Sequence, residues 1–178
     1  SGFGKLLKDY SENRLRVSYL QVAVRSREDV DEYRSLRREL DRIVGDLNGG
    51  FAEFDWVPLR YMTRGLSRQT LAGFYRLAKV GVVTPLRDGM NLVAHEYIAS
   101  QDPADPGVLI LSKFAGAASY FSDALIVNPH DPAEIADAMH RALWMSLDER
   151  RARFDSLSNA LFSLSPARFQ HGFLTALG

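Results

Sequence analysis

Apolar positions gather along the chain in short unbroken runs at residues 20–24, 80–84, 108–112 and 124–128. Near-continuous apolar character over so few residues predicts strands buried on both faces, as in a parallel sheet covered by helices. A weaker run at 56–62 predicts a further strand. Between the runs the spacing changes to that of a helix. Val30, Tyr33, Leu36, Leu40 and Ile43 mark one face of a helix over 27–45, with Ser26 as its N-cap. Asp131-Pro132-Ala133-Glu134 joins an N-cap, a proline at the first helical position and an acid at the third. Ile135, Met139, Ala142 and Leu143 form the apolar stripe of the helix that follows. Ser146 with Glu149 opens another helix, and Pro166 opens the last, which carries Phe169, Phe173 and Leu174. Strand and helix alternating in this way predict an α/β fold, a doubly wound parallel sheet with right-handed crossovers. Such sheets bind ligands beyond the carboxyl ends of their strands.

Composition narrows the classes of partner. Lys plus Arg and Asp plus Glu both number 22, so the 178-residue chain has no net charge to attract nucleic acid or an anionic membrane. An anion site, if present, is local. No cysteine occurs, which excludes disulfides and thiolate metal sites and suits a cytoplasmic protein. No apolar run approaches the length that spans a bilayer. The chain opens on Ser-Gly-Phe-Gly-Lys without a Met start, as expected of a piece of a longer protein.

The passage from Val82 to Glu96 carries the most chemistry. A buried strand enters a polar loop, and a helix starts near Asn91. A helix N-terminus offers unpaired N–H groups and a positive dipole end, which favour a phosphate. Gly89 lets backbone come close to a ligand. Asp88 and Glu96 are acceptor-only carboxylates suited to sugar hydroxyls. The plain alternative is that Asp88 caps the helix and Glu96 faces solvent, and the residues alone leave both readings open. The small residues of 115–118 serve either a diphosphate or tight packing, with packing the simpler reading. Arg25 and Arg27 stand at a helix start, where a cation opposes the dipole and an anionic ligand would explain it. Arg34, Arg37 and Arg38 alternate with acids and read as a solvated face. His95, His130, His140 and His171 lack metal-ligand spacing, and no Ser-His-Asp arrangement is visible.

Taken together, these residues resemble a known family. Val83-Thr84-Pro85-Leu86-Arg87-Asp88-Gly89-Met90-Asn91-Leu92-Val93-Ala94 resembles the signature of the trehalose-6-phosphate synthases almost letter for letter. Val108 to Ser112, Phe114 to Ala118 and Ala124 to Pro129 follow in that family's order. Upstream, Leu20 to Val24, Ser26-Arg27, Leu47-Asn48-Gly49 and Trp56-Val57-Pro58 are similar as well. The resemblance covers about residues 5 to 155 and departs at His95, where many members carry lysine.

The resemblance implies a retaining glycosyltransferase of the GT-B type, built from two Rossmann-like domains. Residues 1–178 would be its C-terminal nucleotide-sugar-binding half, without the first strand and helix start. The helix over 165–178 would pack on the N-terminal domain, a partner outside this chain. The implied reaction moves glucose from UDP-glucose to glucose-6-phosphate without a metal or other cofactor. Asp88 would hold the donor glucose at the reacting centre. The backbone of Gly89, Met90, Asn91, Leu92 and Val93 would face sugar and diphosphate. Glu96 would bind the ribose diol, main chain at Leu66 the uracil, and Arg27 the acceptor's phosphate. In the family an arginine and a lysine that stabilise the leaving diphosphate lie upstream of residue 1, so the isolated chain is expected to be inactive. A non-catalytic nucleotide-sugar-binding or regulatory module, or a transferase with another acceptor such as glycerol-3-phosphate, is the alternative.

Overall fold

The computed structural model describes residues 1–23 and 31–163. Ser26 and Arg27, and the helix expected after Pro166, lie outside the described residues. The chain divides into two compact units, Ser1–Ser67 and Arg68–Gly178.

The first unit runs α1 (Gly2–Asp9), a 3-10 turn (Ser11–Asn13), β1 (Tyr19–Val22), α2 (Asp31–Phe51) and β2 (Leu59–Met62). Helix α1 buries Phe3, Leu6 and Leu7, three and four residues apart on one face, and the Ser1 hydroxyl caps it by accepting from the Gly4 amide. Strands β1 and β2 pair in parallel, Tyr19 opposite Leu59 and Val22 opposite Met62. Two sequence expectations are corrected here. Helix α2 does not stop at Gly45 but continues to Phe51, through two adjacent glycines that disfavour helix. Tertiary anchoring outweighs that cost: Leu47 is buried, and the Asn48 side chain donates to the Leu59 carbonyl and accepts from the Leu59 amide, at 2.9 and 3.0 Å. The strand expected from Trp56 starts only at Leu59, because Trp56 is taken by a bridge to Glu53 and its indole N–H donates to the Val17 carbonyl.

The second unit runs α3 (Arg68–Leu77), β3 (Val80–Val83), α4 (Leu92–Ser100), β4 (Val108–Ser112), a 3-10 turn (Gly116–Ser119), β5 (Leu125–Val127), α5 (Pro132–Leu143) and α6 (Leu147–Ser163). Its three strands are parallel, in the order β3-β4-β5. The α/β class and parallel pairing agree with the sequence. Among the described residues, however, the strands form a two-stranded and a three-stranded ladder. Only central β4 is buried at every position; β1, β3 and β5 flank their ladders and are partly open.

Alternate residues of β4 face opposite ways. Leu109 and Leu111 join the core with Ala94, Tyr97 and Ile98 of α4 and Phe154 and Leu157 of α6. Val108 and Ile110 face the other side, where α5 packs through Ile135, Ala136, Met139 and Ala142. The anticipated caps are present: Asp131 accepts from the Ala133 and Glu134 amides, and Ser146 from the Glu149 amide.

Tyr97 fixes the position of α4 on the sheet. Its ring is buried, its hydroxyl donates to the Ala78 carbonyl at 3.0 Å, and burial pushes its ionisation far above the ordinary range. Glycines make room for it. A Cβ at Gly81 would stand 2.7 Å from the Tyr97 ring, and one at Gly107 would meet its hydroxyl and, at 2.6 Å, the Ala78 carbonyl oxygen. Gln101 completes the seam, donating to the Tyr75 carbonyl and accepting from the Gly107 amide. Gly81→Ala is therefore expected to lower stability by about 1–3 kcal/mol through overpacking, measured as a fall in urea midpoint; an unchanged midpoint would refute this account of the seam.

Helix α6 is held to the 102–106 loop by charge. Arg150 bonds the Pro106 carbonyl and pairs with Asp105 at 2.6 Å. That hydrogen bond holds the Asp105 carboxyl below its ordinary range, and the Arg153 hydrogen bond, helped by Arg141, does the same for Glu149. A carboxylate lowered in the fold adds stability above the unfolded value, roughly pH 4, and loses it as pH falls through the lowered value. Urea midpoints should thus fall with acidification in that window, and less steeply in Asp105→Asn. Parallel slopes for the two proteins would contradict it.

Candidate functional site

The loop between β3 and α4 is shaped by one carboxylate. Asp88 Oδ1 accepts from the amides of Met90 and Asn91, at 3.2 and 3.0 Å, and Oδ2 accepts from the Asn91 side-chain amide at 3.0 Å. The Asp88 backbone is itself anchored, its N–H donating to the Phe114 carbonyl and its carbonyl accepting from the Gly116 amide at 2.9 Å. A Cβ at Gly116 would collide with the Gly89 carbonyl, so the loop lies directly on the segment after β4. The small residues of 115–118 thus serve packing, as the simpler reading had it, and what they pack is this loop.

Asn91 turns the chain into α4. Its φ of 62° is left-handed, a conformation that asparagine tolerates better than most residues. Its side-chain oxygen accepts from the Ala94 amide at 3.1 Å, capping the helix. The amides of Leu92 and Val93 are left without an acceptor among the described residues. Two N–H donors therefore stand at the positive end of the helix dipole. Met90, Leu92 and Val93 lie exposed around them, at 58%, 61% and 43%. Nothing lies within 4 Å of a Cβ built on Gly89, so that side of the loop is open. With three bonds accepted, the Asp88 carboxylate keeps lone-pair capacity on Oδ2 for a further donor.

Glu96 lies on the exposed side of α4, its carboxylate without a partner among the described residues. Burial, and then the charge of Glu96, push the Tyr75 hydroxyl upward. His95, one residue earlier, turns inward onto Tyr120 and Phe121. Leu66 is half-buried in the segment between β2 and α3 and belongs to the first unit. Arg27, the residue tied to the acceptor's phosphate, lies outside the described residues. Asp88, Gly89, Met90, Asn91, Leu92, Val93 and Glu96 are thus gathered on one loop and one helix. Among the described residues no three His, Asp or Glu side chains are placed to hold a metal, and no helix is long and apolar enough to cross a membrane.

A parallel α/β unit whose strand–loop–helix junction presents amides and carboxylates at the carboxyl end of the sheet belongs to the Rossmann-like fold class. The model of glycosyltransferase family 20 matches residues 1–177, and the chain belongs to that family. It is 50% identical over 164 residues to a trehalose-6-phosphate synthase of Sinorhizobium fredii, covering 92% of this chain and 35% of that protein. A solved trehalose-phosphate synthase (UDP-forming) from Burkholderia xenovorans, in complex with glucose-6-phosphate, is similar at 45% identity and TM-score 0.95, covering 99% of this chain and 39% of that one. An Escherichia coli trehalose-6-phosphate structure bound with UDP-2-fluoro glucose is similar at 44% identity and TM-score 0.95, again over 99% and 39%. The chain spans well under half the length of these relatives.

Sequence reasoning named Asn91 as a helix start and, through the resemblance, as a donor-facing backbone group, but not as a left-handed residue or the N-cap. Its left-handed turn was open to inference, since asparagine before an apolar helix both caps and tolerates positive φ. The Tyr120–His95 hydrogen bond had no signal, because it forms across 25 positions. Asp88→Ala removes three hydrogen bonds. It is expected to speed hydrogen exchange at the Met90 and Asn91 amides and to cost about 1–2 kcal/mol. Exchange as slow as in the parent would show that the carboxylate does not shape the loop.

Proposed function

We propose that this chain is the donor-binding part of an α,α-trehalose-phosphate synthase, which transfers glucose from UDP-glucose to glucose-6-phosphate with retention of configuration. The observation that carries the reading is the pair of Leu92 and Val93 amides, set at the start of α4 by the Asp88–Asn91 turn. A diphosphate seated there gains two N–H donors and the helix dipole. As the glycosyl bond breaks, negative charge grows on the departing phosphate oxygens. Donors fixed in advance at that point favour the transition state over the ground state. Asp88 Oδ2 is the acceptor for a glucose hydroxyl, and the unpartnered Glu96 carboxylate is the acceptor for the ribose diol. The reading calls for no metal and for a cytoplasmic protein.

Binding of UDP-2-fluoro glucose and of glucose-6-phosphate by the two solved relatives supports both substrates. The chain spans 39% of each relative; on this reading Arg27 reaches the acceptor's phosphate, while most of the acceptor pocket and part of the leaving-group stabilisation belong to the portion of such enzymes that this chain does not match. The 178-residue chain by itself is expected to transfer no glucose.

Calorimetric titration with UDP and UDP-glucose tests the donor assignment. A hydrogen bond to a charged group is worth roughly 1.5–3 kcal/mol. Glu96→Ala is therefore expected to weaken both ligands on the order of tenfold or more. Asp88→Asn, which keeps an oxygen for the Met90 and Asn91 amides, should weaken UDP-glucose more than UDP. Equal affinities across the three proteins would overturn the assignment.

A further inference from the structure

The left-handed turn at Asn91 has a second support besides Asp88. His95 Nδ1 lies 3.0 Å from the Asn91 carbonyl oxygen, and His95 Nε2 lies 3.0 Å from the Tyr120 hydroxyl. A carbonyl oxygen only accepts, so Nδ1 carries the proton of this bond. In the neutral ring Nε2 is then the acceptor, and the Tyr120 hydroxyl donates to it. The ring meets Phe121 edge-on at 5.0 Å between centroids, and Phe121 is fully buried. Tyr120 follows directly on the Gly116–Ser119 turn, whose first amide holds the Asp88 carbonyl. The loop is therefore gripped from both ends by one segment: Gly116 holds Asp88, and Tyr120 holds Asn91 through His95.

The geometry points to His95 as a positioning residue for the donor loop, locked in its Nδ1–H tautomer by Tyr120 so that it holds the Asn91 carbonyl and, with it, the outward amides of Leu92 and Val93. The inference rests on the donor reading of this loop for its functional meaning, but not for its structural test. The Asn91 carbonyl begins the first turn of α4. That carbonyl and the Leu92 N–H lie in one planar peptide unit, so fixing the carbonyl fixes the direction of that amide. Losing the histidine bond frees a strained residue to relax.

Two measurements on the 178-residue chain test this. Nitrogen NMR of the His95 ring, at a pH where the ring is neutral, is expected to show Nδ1 protonated and Nε2 bare. In Tyr120→Phe the two tautomers should mix, and hydrogen exchange at the Ala94 amide should quicken. His95→Phe keeps the ring contact with Phe121 but removes both hydrogen bonds, and should quicken that exchange further. His95→Asn places an amide donor near the former Nδ1, and should restore protection that His95→Phe loses. UDP-glucose affinity should follow the same order, with a loss of about fivefold for His95→Phe, the size of one neutral hydrogen bond. A ring protonated on Nε2, or Ala94 exchange that is unmoved by all three variants, overturns the inference. Should tautomer and exchange behave as expected while UDP-glucose binds no variant and not the parent, the donor reading falls and the link from His95 to the loop stands.

Discussion

The carboxylate of Asp88 is the fixed point on which the rest of this site depends. It accepts two consecutive backbone amides and the side chain of Asn91, so the chain turns tightly enough for α4 to begin with its amides facing outward. A carboxylate fits this task because it offers several lone pairs from a short side chain. The left-handed Asn91 and the start of the helix both lean on it, beside Asn91's own cap on the Ala94 amide. The same group keeps capacity for a ligand, so the loop's architecture and its proposed chemistry share one residue.

That turn holds because what lies beneath it does not yield. The Asp88 backbone is bonded to Phe114 and Gly116, just after β4, whose five residues are all buried. Helix α4 is pinned lower down by Tyr97, in a slot that Gly81 and Gly107 keep open. A site built on rigid elements places its donors before the ligand arrives, and preorganised donors contribute most to a reaction in which charge develops. Met90, Leu92 and Val93 stand exposed beside this rigid base, outside the core that holds it.

Much of this was legible in the sequence where local chemistry decides structure. Strand β4 has the bounds that its apolar run defines, and the caps at Asp131 and Ser146 form as their residue types require. The passage from Asp88 to Glu96 stood out because a strand, a Gly-containing loop and a helix start follow one another without interruption. Legibility failed where long-range contacts decide. Asn48 carries α2 past two glycines through its bonds to Leu59, and Trp56 is withdrawn from β2 by Glu53 and Val17. Helix α1 contains two glycines, and it forms around the burial of Phe3, Leu6 and Leu7 rather than from propensity. Helix α3 has no buried residue to mark it. The family resemblance named the chemistry, and the structure supplied what the resemblance lacks, the reason each backbone group points where it does.

On the proposed function, the amides of Leu92 and Val93 receive a diphosphate. Amide NMR of the nitrogen-labelled chain during titration with UDP addresses it most directly. The Leu92 and Val93 signals are expected to move furthest, with Gly89 and Met90 next, and uridine without phosphates is expected to leave Leu92 and Val93 in place. Equal movement with uridine, or changes confined to residues away from this loop, would contradict it.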